Sequence, residues 1–186
     1  MVGSFILTRQ FDLAKALQST LEDARGLSVP QVVDAPTLDR ARPSVLLVEE
    51  GKLIRKNPEL GTAYVVIVAH PLCHFTQNAS KAISSDPRLG AELGTRALWL
   101  VPPERGLRMS LFEEWNAAHP NQQMMLAYDV AEWPQIASWS TPTFYFFRNG
   151  KLVEKVVGWP SDGSNLEVLR KAVSNFRKNS VNHNGE

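Results

Sequence analysis

The sequence predicts an α/β fold in which a mixed sheet is flanked by helices. Three apolar runs, at residues 64–69, 96–101 and 143–147, have the length and composition of buried strands. Segments with the apolar spacing of helices lie between and after these runs, and the last run precedes the hairpin-turn dipeptide Asn149-Gly150. Strands that alternate with helices and finish in a hairpin and a helix are typical of such a mixed sheet.

The composition is that of a soluble globular domain without a strong electrostatic field. The chain has 186 residues, of which 44% are hydrophobic and 21% charged, so one domain can bury a well-formed core. Twenty basic and nineteen acidic side chains give a net charge of +1. We therefore expect no nucleic-acid partner. We also expect no membrane span, because no apolar run approaches the ~20 residues that a spanning helix needs.

The chain start and the cysteine content bear on the compartment. The first residues lack both a basic region and a long apolar region, as a secretory signal would have. We expect a cytoplasmic protein if the chain is full length, and a periplasmic one if a signal or anchor was removed. The only cysteine, Cys73, cannot form an internal disulfide, so it does not distinguish these compartments.

Residues 1–60 are predicted to form a helical and hairpin extension. Apolar residues at helical spacing predict an amphipathic helix over 11–25, which the following glycine is placed to end. Three prolines make 28–43 an irregular connection. Residues 44–55 are predicted to form a hairpin with its turn near Gly51.

The stretch from Tyr64 to Ala82 organises the rest of the chain. Its unbroken apolar run is rich in β-branched residues and predicts a central strand buried on both faces. Pro71 ends this strand, and a helical pattern begins near Cys73 and continues to about Ser84. A thiol at a helix start lies near unpaired amides and the positive end of the helix dipole, which stabilise a thiolate. Cys73 is therefore the candidate reactive group.

The remaining elements complete the alternation of helices and strands. In the helix over 110–118, Ser110 is predicted as the cap and Glu113 as its capping-box partner. Ser164 is predicted to cap the last helix, and a polar tail follows over 179–186. The other predicted elements are a helix over 87–93, a strand over 123–128, a short helix over 130–139 and a returning strand over 152–157.

This order of elements, together with two short motifs, resembles the thioredoxin superfamily. The segment Ser140-Thr141-Pro142-Thr143 before the hairpin is similar to that family's segment of cis-proline and strand. Cys73-His-Phe-Thr76 occupies the place of the family's Cys-x-x-Cys motif. The resemblance covers 61–178. Its additional helix and strand between Ser110 and Tyr128 are found in the TlpA-like and peroxiredoxin-like branches.

The resemblance implies a set of site residues. It implies a cis Thr141–Pro142 bond close to Cys73, with the Thr141 backbone available to pair with an extended substrate chain. It also implies a thiol-disulfide oxidoreductase, but Thr76 stands in place of the second cysteine. The protein would then act as a monothiol, with a partner protein or glutathione supplying the resolving thiol. We expect Thr76 and His74 to support Cys73, and no cofactor to be needed.

Other readings of these residues stay open. The second hypothesis is a redox-inactive module that binds a protein partner at the Pro142 surface. A thiol peroxidase is a weaker third, because peroxidatic relatives have threonine before the cysteine. His70, His74 and Cys73 together suggest a metal, but their directions at the strand-to-helix turn argue against one, and we predict no metal site. Trp139 is a candidate for an apolar rim near Pro142 on which a partner could dock. Trp133 and Trp159 are further members of this docking rim or packing residues.

Overall fold

The computed structural model describes residues 1–20, 29–94, 96–103 and 107–181. Helices and strands alternate along these ranges, and one turn of 3₁₀ helix, Val130–Glu132, follows the sixth strand. The helices are α1 (Val2–Leu7), α2 (Phe11–Thr20), α3 (His74–Ser85), α4 (Pro87–Leu93), α5 (Met109–Ala118) and α6 (Asn165–Val181). The strands are β1 (Val32–Asp34), β2 (Val45–Glu49), β3 (Lys52–Lys56), β4 (Ala63–Val68), β5 (Ala97–Val101), β6 (Met124–Ala127), β7 (Thr143–Arg148) and β8 (Lys151–Val157).

All eight of these strands belong to one mixed sheet. Their order is β1-β3-β2-β6-β5-β4-β7-β8. β4, β5 and β6 run parallel to one another, β7 is antiparallel to β4, and β8 is antiparallel to β7. The predicted mixed sheet with helices is confirmed. The carboxyl ends of the three parallel strands share one edge of the sheet, and Cys73 follows one of them.

The central strands are buried on both faces, as their apolar runs predict. Ile67 and Trp99 lie in a core cluster that includes buried residues of α3, α4, α5 and α6. Val66 and Tyr145 lie in a second cluster that includes Trp133 and residues of β2 and β6. The sheet thus separates two apolar layers, and burial of both faces is consistent with the interior position of β4 between β5 and β7.

The predicted N-terminal extension forms part of the same sheet. β2 pairs with β6, and β3 and β1 continue the sheet outward. The predicted hairpin is confirmed, with Glu50 and Gly51 at φ 49° and 73° in its turn. These left-handed angles match the twist that a two-residue hairpin turn needs. α1 and β1 were not predicted, and the predicted end of the second helix, near Gly26, lies outside the described residues.

Three predicted details are wrong. Ser110 does not cap α5, because the helix begins at Met109 and its N-cap residue is Arg108. The helix predicted over 130–139 is limited to one 3₁₀ turn, which Asp129 caps by accepting a hydrogen bond from the Ala131 amide. Pro134 lacks an amide hydrogen and so ends the helical pattern. The predicted tail begins too early, because α6 continues to Val181.

The hairpin of β2 and β3 is fixed to the chain after β6 by a polar cluster. Arg55 Nη2 lies 3.1 Å from Glu132 Oε1, and the side chain of Arg55 is only 9% exposed. Glu132 Oε2 accepts hydrogen bonds from the amide and hydroxyl of Ser44, at 2.6 and 2.8 Å. The Arg55 guanidinium also stacks over the Tyr128 ring, 3.4 Å from its centroid. Because each charge has a partner, the cluster links the extension to the central sheet.

Among the described helices, none is long and apolar enough to cross a bilayer.

Candidate active site

Cys73 lies at the junction of β4 and α3. The turn after the strand closes through a hydrogen bond from the Cys73 amide to the His70 carbonyl, at 3.0 Å. The Gln77 amide then donates to the Cys73 carbonyl at 3.0 Å, which is the first hydrogen bond of the helix. The Gln77 side chain reaches back to the Pro71 carbonyl at 2.8 Å. Cys73 is therefore the N-cap residue of α3, at the helix start that the sequence predicts.

The Cys73 sulfur is half-buried and surrounded by hydrogen-bonding groups. Its thiol donates to the Thr141 carbonyl at 3.4 Å. Burial raises the pKa of the thiol. Hydrogen bonds from the Thr141 side chain, from the amide and hydroxyl of Thr76 and from the Phe75 amide together lower it by more. The net pKa lies below the ordinary value for cysteine. Cys73 occupies the N-cap position of α3, although its thiol makes no capping hydrogen bond to the helix amides.

Thr76 is fully buried one turn into α3. Its Oγ1 also accepts a hydrogen bond from the His70 amide at 3.5 Å. The threonine that replaces the family's second cysteine is therefore within hydrogen-bonding reach of the thiol and of the turn before it. The structure brings Cys73, Thr76 and Thr141 together.

The loop that presents Thr141 is fastened to β7. The Tyr145 hydroxyl donates to the Ser138 carbonyl at 2.7 Å and accepts from the Ser138 amide at 3.1 Å. The Thr143 hydroxyl donates to the Ser140 carbonyl at 2.7 Å. Tyr145 is fully buried, so its hydroxyl needs these partners. We call residues 138–142 the Thr141 loop.

The Thr141–Pro142 peptide bond is cis, which is the geometry that the resemblance implied. Pro142 is buried, whereas Thr141 is half-exposed. The Pro142 carbonyl accepts a hydrogen bond from the Gly158 amide at 2.8 Å, at the end of β8. Both ends of the Thr141 loop are therefore held by β7 and β8.

The other predicted site residues are placed less closely around the sulfur. His74 is exposed at the first position of α3, and its ring packs on Phe75 with centroids 3.8 Å apart. Trp139 is half-buried, two residues before Thr141, and packs against the second core cluster. His70 Nδ1 accepts a hydrogen bond from the Leu72 amide at 3.1 Å. Within the described ranges, no group of three metal-ligating side chains is present.

The remaining tryptophans are packing residues. Trp99, Trp115, Trp133 and Trp159 are 1%, 7%, 4% and 5% exposed. Of the three tryptophans considered for a docking rim, only Trp139 has appreciable exposed surface.

Comparisons with known proteins find distant structural similarity. No protein-family model matches the chain, and no curated protein sequence matches it. It is similar to the solution structure of an uncharacterized thioredoxin-like protein from Porphyromonas gingivalis, with 14% identity, 78% of this chain and 95% of that one covered, and a TM-score of 0.49. A thioredoxin-like protein from Bacteroides caccae has 10% identity and a TM-score of 0.48, with 87% of this chain and 54% of that one covered. The structure of MTB DsbF has 15% identity and a TM-score of 0.45, with 75% and 99% covered.

The chain has a thioredoxin-like fold with additions. Its core is the unit β4-α3-β5 followed by the antiparallel strands β7 and β8 and by α6, with strand order β5-β4-β7-β8. α5 and β6 are the predicted insertion, and the strands of residues 1–60 extend the sheet beyond it. The order of strands and helices in the structure agrees with the fold that the resemblance implied.

Two contributors to this site were not predicted from the sequence. The first is Tyr145, whose hydroxyl holds the Thr141 loop at Ser138. A tyrosine in a strand buried on both faces must find a polar partner, so the aromatic run at 143–147 contained a usable signal. The second is the Phe75 amide, which lowers the pKa of Cys73. Its place near the sulfur follows from the N-cap position of Cys73 and does not depend on the side chain at position 75.

Proposed function

We propose that the protein is a thiol-disulfide exchange protein of the monothiol type, with Cys73 as the nucleophile. The observation that carries the proposal is the position of the sulfur. It is half-exposed at the N-cap of α3 and 3.4 Å from the Thr141 carbonyl. Helix amides that face a cysteine sulfur favour the thiolate, which is the form that attacks a disulfide.

The reaction has two exchange steps. In the first, the Cys73 thiolate attacks one sulfur of a substrate disulfide, a mixed disulfide forms, and the other substrate sulfur leaves as a thiolate. In the second, an external thiolate such as glutathione attacks the substrate sulfur of the mixed disulfide and releases the Cys73 thiolate. One substrate sulfur ends in a disulfide with the external thiol, the other ends as a free thiolate, and Cys73 ends as it began. Because Cys73 is the only cysteine, the second thiol must come from solution or from a partner.

The roles of the surrounding residues follow from their contacts. Thr76 and the amides of α3 stabilise the Cys73 thiolate by hydrogen bonds. Thr141 binds the substrate backbone beside the sulfur, and Pro142 and Trp139 shape that surface. His74, exposed at the helix start, flanks the path by which a disulfide approaches.

The test is insulin reduction at limiting glutathione, with the parent, Cys73→Ser and Thr76→Cys compared. We expect turnover by the parent to rise with glutathione and Cys73→Ser to be inactive. Thr76→Cys supplies a second thiol one helical turn away that can resolve the mixed disulfide, so each molecule should release one reduced substrate without glutathione, which is then needed only to reduce the resulting internal disulfide. Equal activity of parent and Cys73→Ser in every condition would reject the proposal.

The second candidate is a redox-inactive thioredoxin-fold module that binds a protein partner at the Thr141 loop. It is favoured by the absence of a second thiol and by the exposed face of Trp139. The two candidates differ in one measurable property. Binding of a partner to Cys73→Ser that matches its binding to the parent, with no exchange activity in the parent, would favour the module.

A further inference from the structure

A cavity of about 510 Å³ opens at the edge of the sheet where β5 and β6 end. Pro102 and Pro103, directly after β5, form one part of its wall, and Val130, shortly after β6, forms another. Trp139 and Leu7 complete the apolar part of the lining, and Thr8, Arg9, Tyr128 and Asp129 line the rest. We call it the proline-tryptophan cavity. Its volume lies within the ~300–1,000 Å³ typical of pockets that bind a ligand.

The walls of this cavity are fixed before any ligand binds. Arg9, two residues after α1, donates from Nε to the Tyr128 carbonyl and from Nη2 to the Ala127 carbonyl, each at 2.6 Å. These bonds hold α1 against the end of β6. Trp139 packs on the second core cluster, and the adjacent Ser138 is held by the Tyr145 hydroxyl. The N-terminal extension therefore supplies one wall of the cavity, held to the end of β6 by Arg9.

The cavity and the candidate nucleophile share that loop. Trp139 precedes Thr141 by two residues, a backbone distance of at most ~7 Å. The Thr141 carbonyl is 3.4 Å from the Cys73 sulfur. Among the described residues, no hydrogen bond uses the Thr141 amide. An extended chain can therefore pair with Thr141 while its cysteine faces Cys73.

The geometry of an extended chain selects which substrate residue enters the cavity. Side chains at positions i and i+2 of a strand point to the same face, about 6.6 Å apart. Trp139 likewise lies two residues from Thr141 along the loop. A side chain two residues from the substrate cysteine is then placed at the wall formed by Trp139.

We infer that the proline-tryptophan cavity receives a large apolar or aromatic side chain of a polypeptide substrate, two residues from the cysteine that Cys73 attacks. Leu7, Pro102, Pro103, Val130 and Trp139 make the contact, and a polar or small side chain at that position leaves this apolar lining uncovered. The inference rests on the proposed function, because it takes the occupant to be the disulfide substrate. Residues of α1 and of the segments after β5 and β6 would then determine which substrate binds.

The test uses Cys73→Ser, which cannot exchange, and fluorescent heptapeptides whose central cysteine is S-methylated. One peptide has phenylalanine two positions before the cysteine, one has it two positions after, and one has glycine at both. Fluorescence polarisation is expected to show one of the phenylalanine peptides binding about tenfold or more tightly than the glycine peptide, as burial of an aromatic ring requires. Equal affinities, or no binding of any peptide, would overturn the inference.

Two matched substitutions locate the binding. Val130 and Val153 are exposed to similar extents, 46% and 53%, but only Val130 lines the cavity, and Val153 lies on the outer strand β8. Val130→Glu, made in the Cys73→Ser protein, should remove the preference for phenylalanine. Val153→Glu should leave it intact. A preference that survives Val130→Glu, or that Val153→Glu also removes, places the binding elsewhere and overturns the inference.

A separate assay keeps this inference distinct from the proposed function. The parent is reacted with a small aromatic disulfide that has no peptide portion. A reactive Cys73 together with equal peptide affinities removes the cavity inference and leaves the proposed function standing. An unreactive Cys73 rejects the proposed function, and a phenylalanine preference in Cys73→Ser then still identifies the cavity as a site for apolar side chains.

Discussion

At the scale of single residues, the reactivity of Cys73 depends on a balance between burial and hydrogen bonding. Partial burial raises the pKa of the thiol, and hydrogen bonds from Thr141, Thr76 and Phe75 lower it by more. The Thr141 carbonyl acts differently, because it can only accept and so stabilises the protonated thiol. Each donor that is removed should therefore move the ionisation of Cys73 toward higher pH.

Thr76→Val tests the contribution of one donor. Valine keeps the shape of the buried side chain but has no hydroxyl, so one hydrogen bond to the thiolate is lost. We expect the midpoint of the plot of alkylation rate against pH to rise. Ser80→Ala is the control, because Ser80 is a buried hydroxyl on the same helix that bonds Gln122 and not the thiol. An unchanged midpoint in Thr76→Val would show that the hydroxyl plays no part.

At the scale of elements, the site depends on how β7 holds the Thr141 loop. The buried Tyr145 hydroxyl is bonded to both the amide and the carbonyl of Ser138. Those bonds fix the loop three residues before Thr141. Thr141, which lies beside the sulfur, and Tyr145, which fixes the loop, are thus only four residues apart in the sequence.

Tyr145→Phe should loosen this loop without changing the apolar core. Loss of the hydroxyl leaves two backbone groups without a partner, at a cost of about 1–3 kcal/mol in the free energy of unfolding. The midpoint of Cys73 alkylation should also rise, because the Thr141 side chain, the largest of the contributions that lower the pKa of Cys73, is held less firmly beside the sulfur. Urea denaturation and alkylation rates measure the two effects.

Tyr64→Phe is the matched control for that prediction. Tyr64 lies on the neighbouring strand β4, is half-buried and stacks on the Phe147 ring, away from the Thr141 loop. Its hydroxyl can be removed without touching the loop, so neither the stability nor the midpoint should change much. A Tyr145→Phe protein with an unaltered alkylation profile would show that the hydrogen bonds between Tyr145 and Ser138 do not affect the ionisation of Cys73.

The success of sequence-based prediction also differed from element to element. The central strand, the start of α3 and the last hairpin were predictable because an apolar run, Pro71 and Asn149-Gly150 each impose a local geometry. The helix expected over 130–139 was wrong, because tertiary contacts of Glu132 and Trp133 hold that segment in one 3₁₀ turn. β1 has only three residues and exists because it pairs with β3, a long-range contact without a local pattern.

At the scale of the whole molecule, the N-terminal extension and the thioredoxin-like core share one sheet. The junction is the pairing of β2 with β6, reinforced by Arg55, Glu132 and Ser44. The sequence predicted residues 1–60 as an extension, but it could not show this attachment. Strand pairing across more than seventy residues depends on packing in three dimensions, and so does the cavity that α1 helps to form.

Glu132→Ala should therefore destabilise the entire protein. It leaves the nearly buried Arg55 guanidinium without its carboxylate, which costs about 3 kcal/mol in the free energy of unfolding. Asp34→Ala is the control, since it breaks a surface salt bridge in which the Arg40 side chain is 74% exposed and the Asp34 side chain 38% exposed. Such a pair contributes at most about 1 kcal/mol to the free energy of unfolding. Urea denaturation followed by tryptophan fluorescence should show a single transition in both variants. A separate early transition in Glu132→Ala would mean that residues 1–60 unfold independently.

The pH dependence of Cys73 alkylation tests most directly whether the fold makes this thiol reactive. The rate of reaction with iodoacetamide is measured by mass spectrometry for the folded protein and for the same protein in urea, where Cys73 has lost its helix and its loop. Because the pKa of Cys73 in the folded state is lowered, the rate of the folded protein should reach half its plateau at a lower pH than that of the unfolded chain. A midpoint equal to or above that of the unfolded chain would contradict the account.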